Sequence, residues 1–144
     1  MSGIEYFYSA HSAFAYFGSR RFMEIAAAAS RKIVHKPYYL NRAIAGVGSV
    51  PTRERPQNHR AYYFRRQIDR WSEHREAPVM EGYPTEHWAD MTLANCMLIA
   101  AARADADANS LAHAMLQGHW RDNADLSDRD TLVALARGVD FDPD

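Results

Sequence analysis

Ile4 to Phe17, IEYFYSAHSAFAYF, constrains the fold of this chain more than any other stretch. Ile4-Glu5-Tyr6-Phe7-Tyr8 is a short aromatic and β-branched run of the kind that forms a strand. Ser9-Ala10-His11-Ser12 interrupts it with small and polar residues, and from Ala13 the sequence suits a helix with Phe14, Phe17 and Phe22 along one face. A strand that turns tightly into a helix puts Ser12 at the helix N-terminus. Free N–H groups and the positive end of the helix dipole meet there, and both favour an anion. Locally, Ser12 reads first as an N-cap. Its second reading is a hydrogen-bond donor to a thiolate or oxyanion. A nucleophilic Ser12 is disfavoured: His11 is its direct neighbour, and no Asp or Glu lies nearby in sequence to orient that imidazole.

The second half of a βαβ unit follows. The helix runs through Ala26 to Ala29 and stops near Ser30, and Lys32 to Leu40 (KIVHKPYYL) reads as a strand that lies at an edge or ends around Pro37. Parallel strands joined by a right-handed crossover are the expectation. Asn41 to Gln57 reads as irregular, with Gly46, Gly48, Pro51 and Pro56. Beyond it the periodicity is helical throughout. Ala61, Phe64, Ile68 and Trp71 form one stripe. Thr85 is placed to cap a helix through Arg103 whose inner face holds Trp88, Met91, Asn95, Leu98 and Ala102. A shorter helix from Asn109 or Ser110 reaches Trp120, and a last one opens at Asp128 or Asp130 and stops at Gly138. Trp71, Trp88 and Trp120 read as core, and Cys96 as a buried, inert thiol. Two parallel strands do not make a stable open sheet, so further strands or another chain must complete this one.

Composition narrows the function. A net charge of −1 over 144 residues argues against general attraction to nucleic acid or membrane. One cysteine leaves no disulfide and no CxxC pair. No apolar run is long enough to span a bilayer and no signal segment opens the chain, so a soluble, cytoplasmic protein is expected. The arginine-rich stretch Arg53 to Arg75 reads as a solvated helix face or as a capture site for small carboxylates, with Asp69, Glu73 and Glu76 breaking up its field. His74, His87, His113 and His119 show no ligand spacing, and no metal is expected.

These residues carry a resemblance. The opening strand, the turn into Ser12-Ala13-Phe14-Ala15-Tyr16 and the long helix resemble the 2-hydroxychromene-2-carboxylate isomerases. That family sits with kappa-class glutathione transferases in the DsbA-like branch of the thioredoxin fold. Further along, Lys36-Pro37 to Leu40, Gly48-Ser49-Val50-Pro51, Arg60 to Tyr63, Asp69-Arg70-Trp71-Ser72, Ala77-Pro78 and Gly118-His119-Trp120 resemble family segments in the same order. The resemblance implies an α/β, thioredoxin-like βαβ half over residues 1–57 and an all-helical insertion over 58–144. It also implies glutathione as cofactor, with Ser12 on the sulfur, Arg60 and Ser49 or Val50 as further contacts, and His11 and Phe14 toward a small aromatic substrate. The reaction implied is isomerisation in aromatic degradation, with glutathione returned unchanged. A kappa-like transferase and a non-catalytic module completed by a partner chain are the alternatives, and a homodimer or a complementing chain is the expected assembly. Ser12 and Ala15, where a disulfide oxidoreductase has its cysteines, exclude that activity. Ala13, Ser9 and His11 depart from the family's usual Pro, Asp and apolar residues. The family's cis-proline loop, hairpin and final helix have no counterpart before Asp144, so a chain truncated or split from its C-terminal part is expected.

Overall fold

The computed structural model describes residues 3–143; Met1 and Ser2 of the lead-in and the terminal Asp144 lie outside the described residues. Strand β1 (Ile4–Tyr8), helix α1 (Ala13–Ala28) and strand β2 (Ile33–Pro37) form the expected βαβ unit, with the strands parallel. The register pairs Ile4 with Ile33 and Tyr8 with Pro37. Pro37 has no N–H to give, and the ladder closes through Tyr38 N–H, which donates to Tyr8 O at 2.9 Å. Tyr6 and Tyr8 stack at 4.5 Å, and Phe22 of α1 lies 4.8 Å from the Tyr6 ring. His35 Nε2–H donates to Asn109 Oδ1 at 2.8 Å, which leaves His35 Nδ1 to accept from Tyr8 O–H at 2.9 Å. One imidazole thus joins β1, β2 and the helical part of the chain.

Among the described residues the sheet keeps two strands, and every regular element after β2 is helical. Helix α2 (Leu40–Gly46) and a 3₁₀ turn at Thr52–Glu54 occupy part of the stretch read as irregular. Helix α2 buries none of its residues and has no side-chain cap, so neither periodicity nor a cap marks it in the sequence. A π-helical turn (His59–Phe64) leads into α3 (Arg65–Arg75), followed by α4 (Thr92–Arg103), α5 (Ala108–Asp122) and α6 (Arg129–Arg137). Helix α5 is the hub: it packs on α1, α4 and α6. Its Leu111, Met115, Leu116 and Trp120 meet Leu98, Leu126 and Leu132, all at most 1% exposed. Asp107 and Asp128 cap α5 and α6 by accepting the Ser110 and Thr131 amides at 3.0 and 2.8 Å. Among the described residues no helix is long and apolar enough to cross a membrane.

Four expectations need correction. Thr85 does not cap α4. Its N–H is donated to Asn123 Oδ1, Thr85–Trp88 forms a turn, and α4 begins at Thr92. Ala101, fully buried, takes the inner position assigned to Ala102, which is exposed. Cys96 is exposed, because the buried face of α4 is Ala94, Asn95, Leu98 and Ala101. Ala61 and Trp71 fall off the α3 stripe: Ala61 sits in the wider π turn, and Trp71 is 38% exposed with the Arg75 guanidinium 5.5 Å over its ring.

Part of the basic stretch turns inward as a clamp. Arg65 pairs with Asp69 at 2.8 Å and donates to the carbonyls of Met80 and Gly82. Tyr16 O–H donates to Pro78 O at 3.2 Å, Ser72 O–H to Ala77 O at 2.8 Å, and Met80 N–H to Trp120 O at 2.8 Å. Residues 77–82 are therefore fixed along their length and deliver the following turn to the core. Ile68 is the one α3 residue fully buried. Ile68→Ala is expected to cost about 2–5 kcal/mol in denaturant unfolding, and Trp71→Ala less; the reverse order would contradict this placement of α3.

Candidate functional site

The turn from Ser9 to Ser12 is closed by Ser12 N–H donating to Ser9 O at 3.0 Å. Ser12 is extended (φ −74°, ψ 121°), and its Oγ accepts from Ala15 N–H at 3.2 Å, so it caps α1 as expected. Capping uses an oxygen lone pair and leaves the hydroxyl proton, for which the described residues supply no acceptor. The N–H groups of Ala13 and Phe14 cannot be satisfied inside the helix. No acidic residue lies in the first turn to occupy these donors. Hydroxyl, amides and helix dipole thus converge on a place suited to an anion.

That place borders a cavity of about 230 Å³ lined by His11, Ser12, Phe14, Phe64, His87, Trp88 and Trp120, and by Leu40, Asn41, Ile44 and Thr52. Its walls are aromatic: Phe14 meets Phe64 edge to face at 5.7 Å, and Trp88 packs edge-on to His87 at 4.6 Å. Trp120, fully buried, donates its indole N–H to His11 O at 2.9 Å and ties the turn to α5. The structure therefore brings Ser12, His11 and Phe14 together. Ser49, Val50 and Arg60 do not line this cavity. Ser49 and Val50 lie exposed in the loop after α2, where Val50 O accepts from Arg55. Arg60 is half-buried in the π turn, and its Nε–H is buried without an acceptor among the described residues. A larger cavity, about 340 Å³, lies on α3 among Gln67, Arg70, Trp71 and His74, away from Ser12.

A histidine cluster adjoins the cavity, and no sequence spacing announces it. His11, His87 and His119 are all buried. His87 Nδ1 and His119 Nε2 are 3.0 Å apart, His119 Nδ1 faces Ala124 O at 3.0 Å, and His11 Nδ1 faces Ser9 Oγ at 3.0 Å. The His11 and His87 rings meet edge to face at 5.0 Å. One local signal was available: His119 follows Met115 and Leu116 on the buried stripe of α5. His11 and His87 sit in turns without periodicity, so nothing in the sequence links the three. Among the described residues, no group of His, Cys, Asp and Glu is arranged to hold a metal ion.

Burial disfavours the charged imidazole and pushes His11 down to about 4, His87 further down, and His119 below its usual range, the last partly countered by its bond to Ala124. His35 and His113 are lowered by burial as well. The unfolded chain takes up these protons below about pH 6.5, whereas the folded chain resists them. Stability is then full above about pH 6.5 and is lost as pH falls through the range from about 6.5 to about 4 that His11 spans, with a slope of up to about 1.4 kcal/mol per pH unit for each histidine. The lowered carboxylates Asp107 and Asp128 act only below their own unfolded range, about pH 4. His87→Gln should make the denaturant midpoint fall less steeply between pH 6.5 and pH 4; an unchanged slope would show that His87 is not held neutral.

Comparison with known proteins agrees with this architecture. Residues 3–144 match the DsbA-like thioredoxin domain family. No curated protein matches the chain. Among solved structures, a 2-hydroxychromene-2-carboxylate isomerase superposes with a TM-score of 0.77 at 16% sequence identity, over 96% of this chain and 66% of that one. The chain thus spans about two thirds of the length of that relative, with the same fold, the small parallel sheet and the helical run included. It belongs to the DsbA-like thioredoxin domain family.

Proposed function

We propose that the chain binds glutathione at Ser12 and serves a glutathione-dependent isomerisation of the 2-hydroxychromene-2-carboxylate type. One observation carries this reading: Ser12 caps α1 with its hydroxyl proton still free, at the mouth of an aromatic cavity, with Ala15 and not cysteine one turn on. A thiolate needs donors and offers none, which fits this donor set. When bound, glutathione supplies a nucleophilic sulfur that is returned unchanged.

The residues of the chain do the rest. Ser12 and the first-turn amides hold negative charge at the sulfur and lower the cost of forming it. Phe14, Phe64, Trp88 and Trp120 give an aromatic substrate apolar faces and exclude water from the reacting atoms. Arg60, with a buried Nε–H awaiting an acceptor, and the Ser49–Val50 loop complete the glutathione contacts in this reading; an orphaned buried donor is costly, and a ligand carboxylate would satisfy it. Residues 1–57 supply the thioredoxin half and 58–144 the helical insertion.

Calorimetric titration with glutathione tests the reading. Ser12→Ala should weaken binding about ten- to hundredfold, the range for a hydrogen bond to a charged group, while Ser12→Thr should retain most of it. Free glutathione recovered quantitatively after turnover of a hydroxychromene carboxylate would support the isomerase; glutathione lost into product would turn the reading to a kappa-like transferase. A chain that dimerises and ignores glutathione would instead be an interaction module.

A further inference from the structure

Glutathione at Ser12 leaves one wall of the cavity without a role, the wall made by His87. Its protonation follows from its neighbours. Ala124 O can only accept, so the proton of the 3.0 Å contact belongs to His119 Nδ1. A neutral imidazole carries a single proton, so His119 Nε2 is an acceptor. The 3.0 Å contact from His119 Nε2 to His87 Nδ1 then requires the proton on His87 Nδ1. His87 Nε2 is left with a lone pair. Burial keeps both rings neutral, which preserves this order.

No described group donates to His87 Nε2, yet this atom is not one of the sealed, partnerless polar atoms of the structure. The ring that carries this atom lines the same cavity as Ser12. The cavity is thereby polarised. Its lining combines donors at Ser12 and the start of α1 with an acceptor on His87 among aromatic residues. His119 holds the second role in place, its own Nδ1–H anchored on Ala124 O just beyond α5.

We propose that His87, fixed as an acceptor by His119, determines which aromatic ligand this cavity takes: one that carries a hydroxyl donor, a phenol in particular, over the same ring without it. An aromatic ligand lacking the donor would cover Nε2 and strand a buried acceptor, which is penalised more than a lost surface contact. His119 is a positioning residue that acts only through His87. The inference deepens the glutathione reading, resting on it for the cavity being the substrate's, and names a feature of the substrate that this chain would recognise.

The test uses 2-hydroxycinnamate and 2-methoxycinnamate as probes, without glutathione, on the whole chain. Nitrogen-15 spectra of the imidazoles should show Nδ1 protonated and Nε2 unprotonated in both His87 and His119. The hydroxy probe should bind about tenfold more tightly than the methoxy probe and should shift the His87 Nε2 signal. His87→Gln, with an amide oxygen as acceptor, should keep the preference. His87→Leu should abolish it, and His119→Leu should narrow it. A protonated His87 Nε2, equal affinities, or no binding of either probe overturns the inference. The spectra of the unaltered chain decide the tautomer even if a variant fails to fold. A separate glutathione titration keeps the two readings apart: probe preference without glutathione binding overturns only the glutathione reading, and Ser12-dependent glutathione binding with equal probe affinities overturns only this one.

Discussion

A single buried hydrogen bond connects the two ends of this chain's logic: Trp120 Nε1–H to His11 O, 2.9 Å long and spanning 109 positions of sequence. The carbonyl of His11 belongs to a tight turn in the core, where an unmatched acceptor is expensive. Trp120 satisfies it while filling the centre of the helical layer, and its own carbonyl accepts the Met80 amide. The position of the Ser12 turn is therefore set by α5 as much as by the strand that precedes it. A two-stranded sheet alone could not fix it.

The surrounding packing serves the same end. Arg65, Tyr16 and Ser72 pin residues 77–82 by their carbonyls, and Asn123 and Thr85 exchange hydrogen bonds across the next turn. These polar ties deliver His87 and Trp88 to the cavity without regular structure of their own. His87 and His119 then fill space that an apolar pair could fill at lower cost. The contact between the two rings sets a polar group beside an otherwise aromatic cavity.

What could be read in the sequence is what local chemistry decides. The strand, the turn and the Ser12 cap are set within a dozen residues by β-branching, small residues and a hydroxyl, and Pro37 sits at the end of β2, where Tyr38 N–H makes the last ladder bond. Helix α6 opens at Asp128 and closes at Gly138 as its signals indicate, whereas α5 begins at Ala108 under an Asp107 cap, ahead of the Asn109 or Ser110 start that its sequence suggested. The failures lie where distant residues intervene. Thr85 has a cap's chemistry, but its hydroxyl oxygen accepts from Asn123 Nδ2–H instead of a helix amide. Trp71 sits on a plausible stripe, but α3 packs at the rim and buries only Ile68. Of the candidate site, Ser12, His11 and Phe14 meet in one cavity, whereas Ser49, Val50 and Arg60 stand outside its lining. His87 joins only because a loop held by backbone carbonyls folds over it, and no sequence spacing records such a contact.

In the proposed reading, the start of α1 holds a sulfur anion against Ser12. The most direct measurement is a pH titration of the ultraviolet thiolate absorbance of glutathione in the presence of the chain. The bound sulfur should ionise well below the ordinary thiol range near pH 8.5, with that shift lost in Ser12→Ala. Bound glutathione that ionises like the free thiol, or a shift that survives in Ser12→Ala, would contradict it.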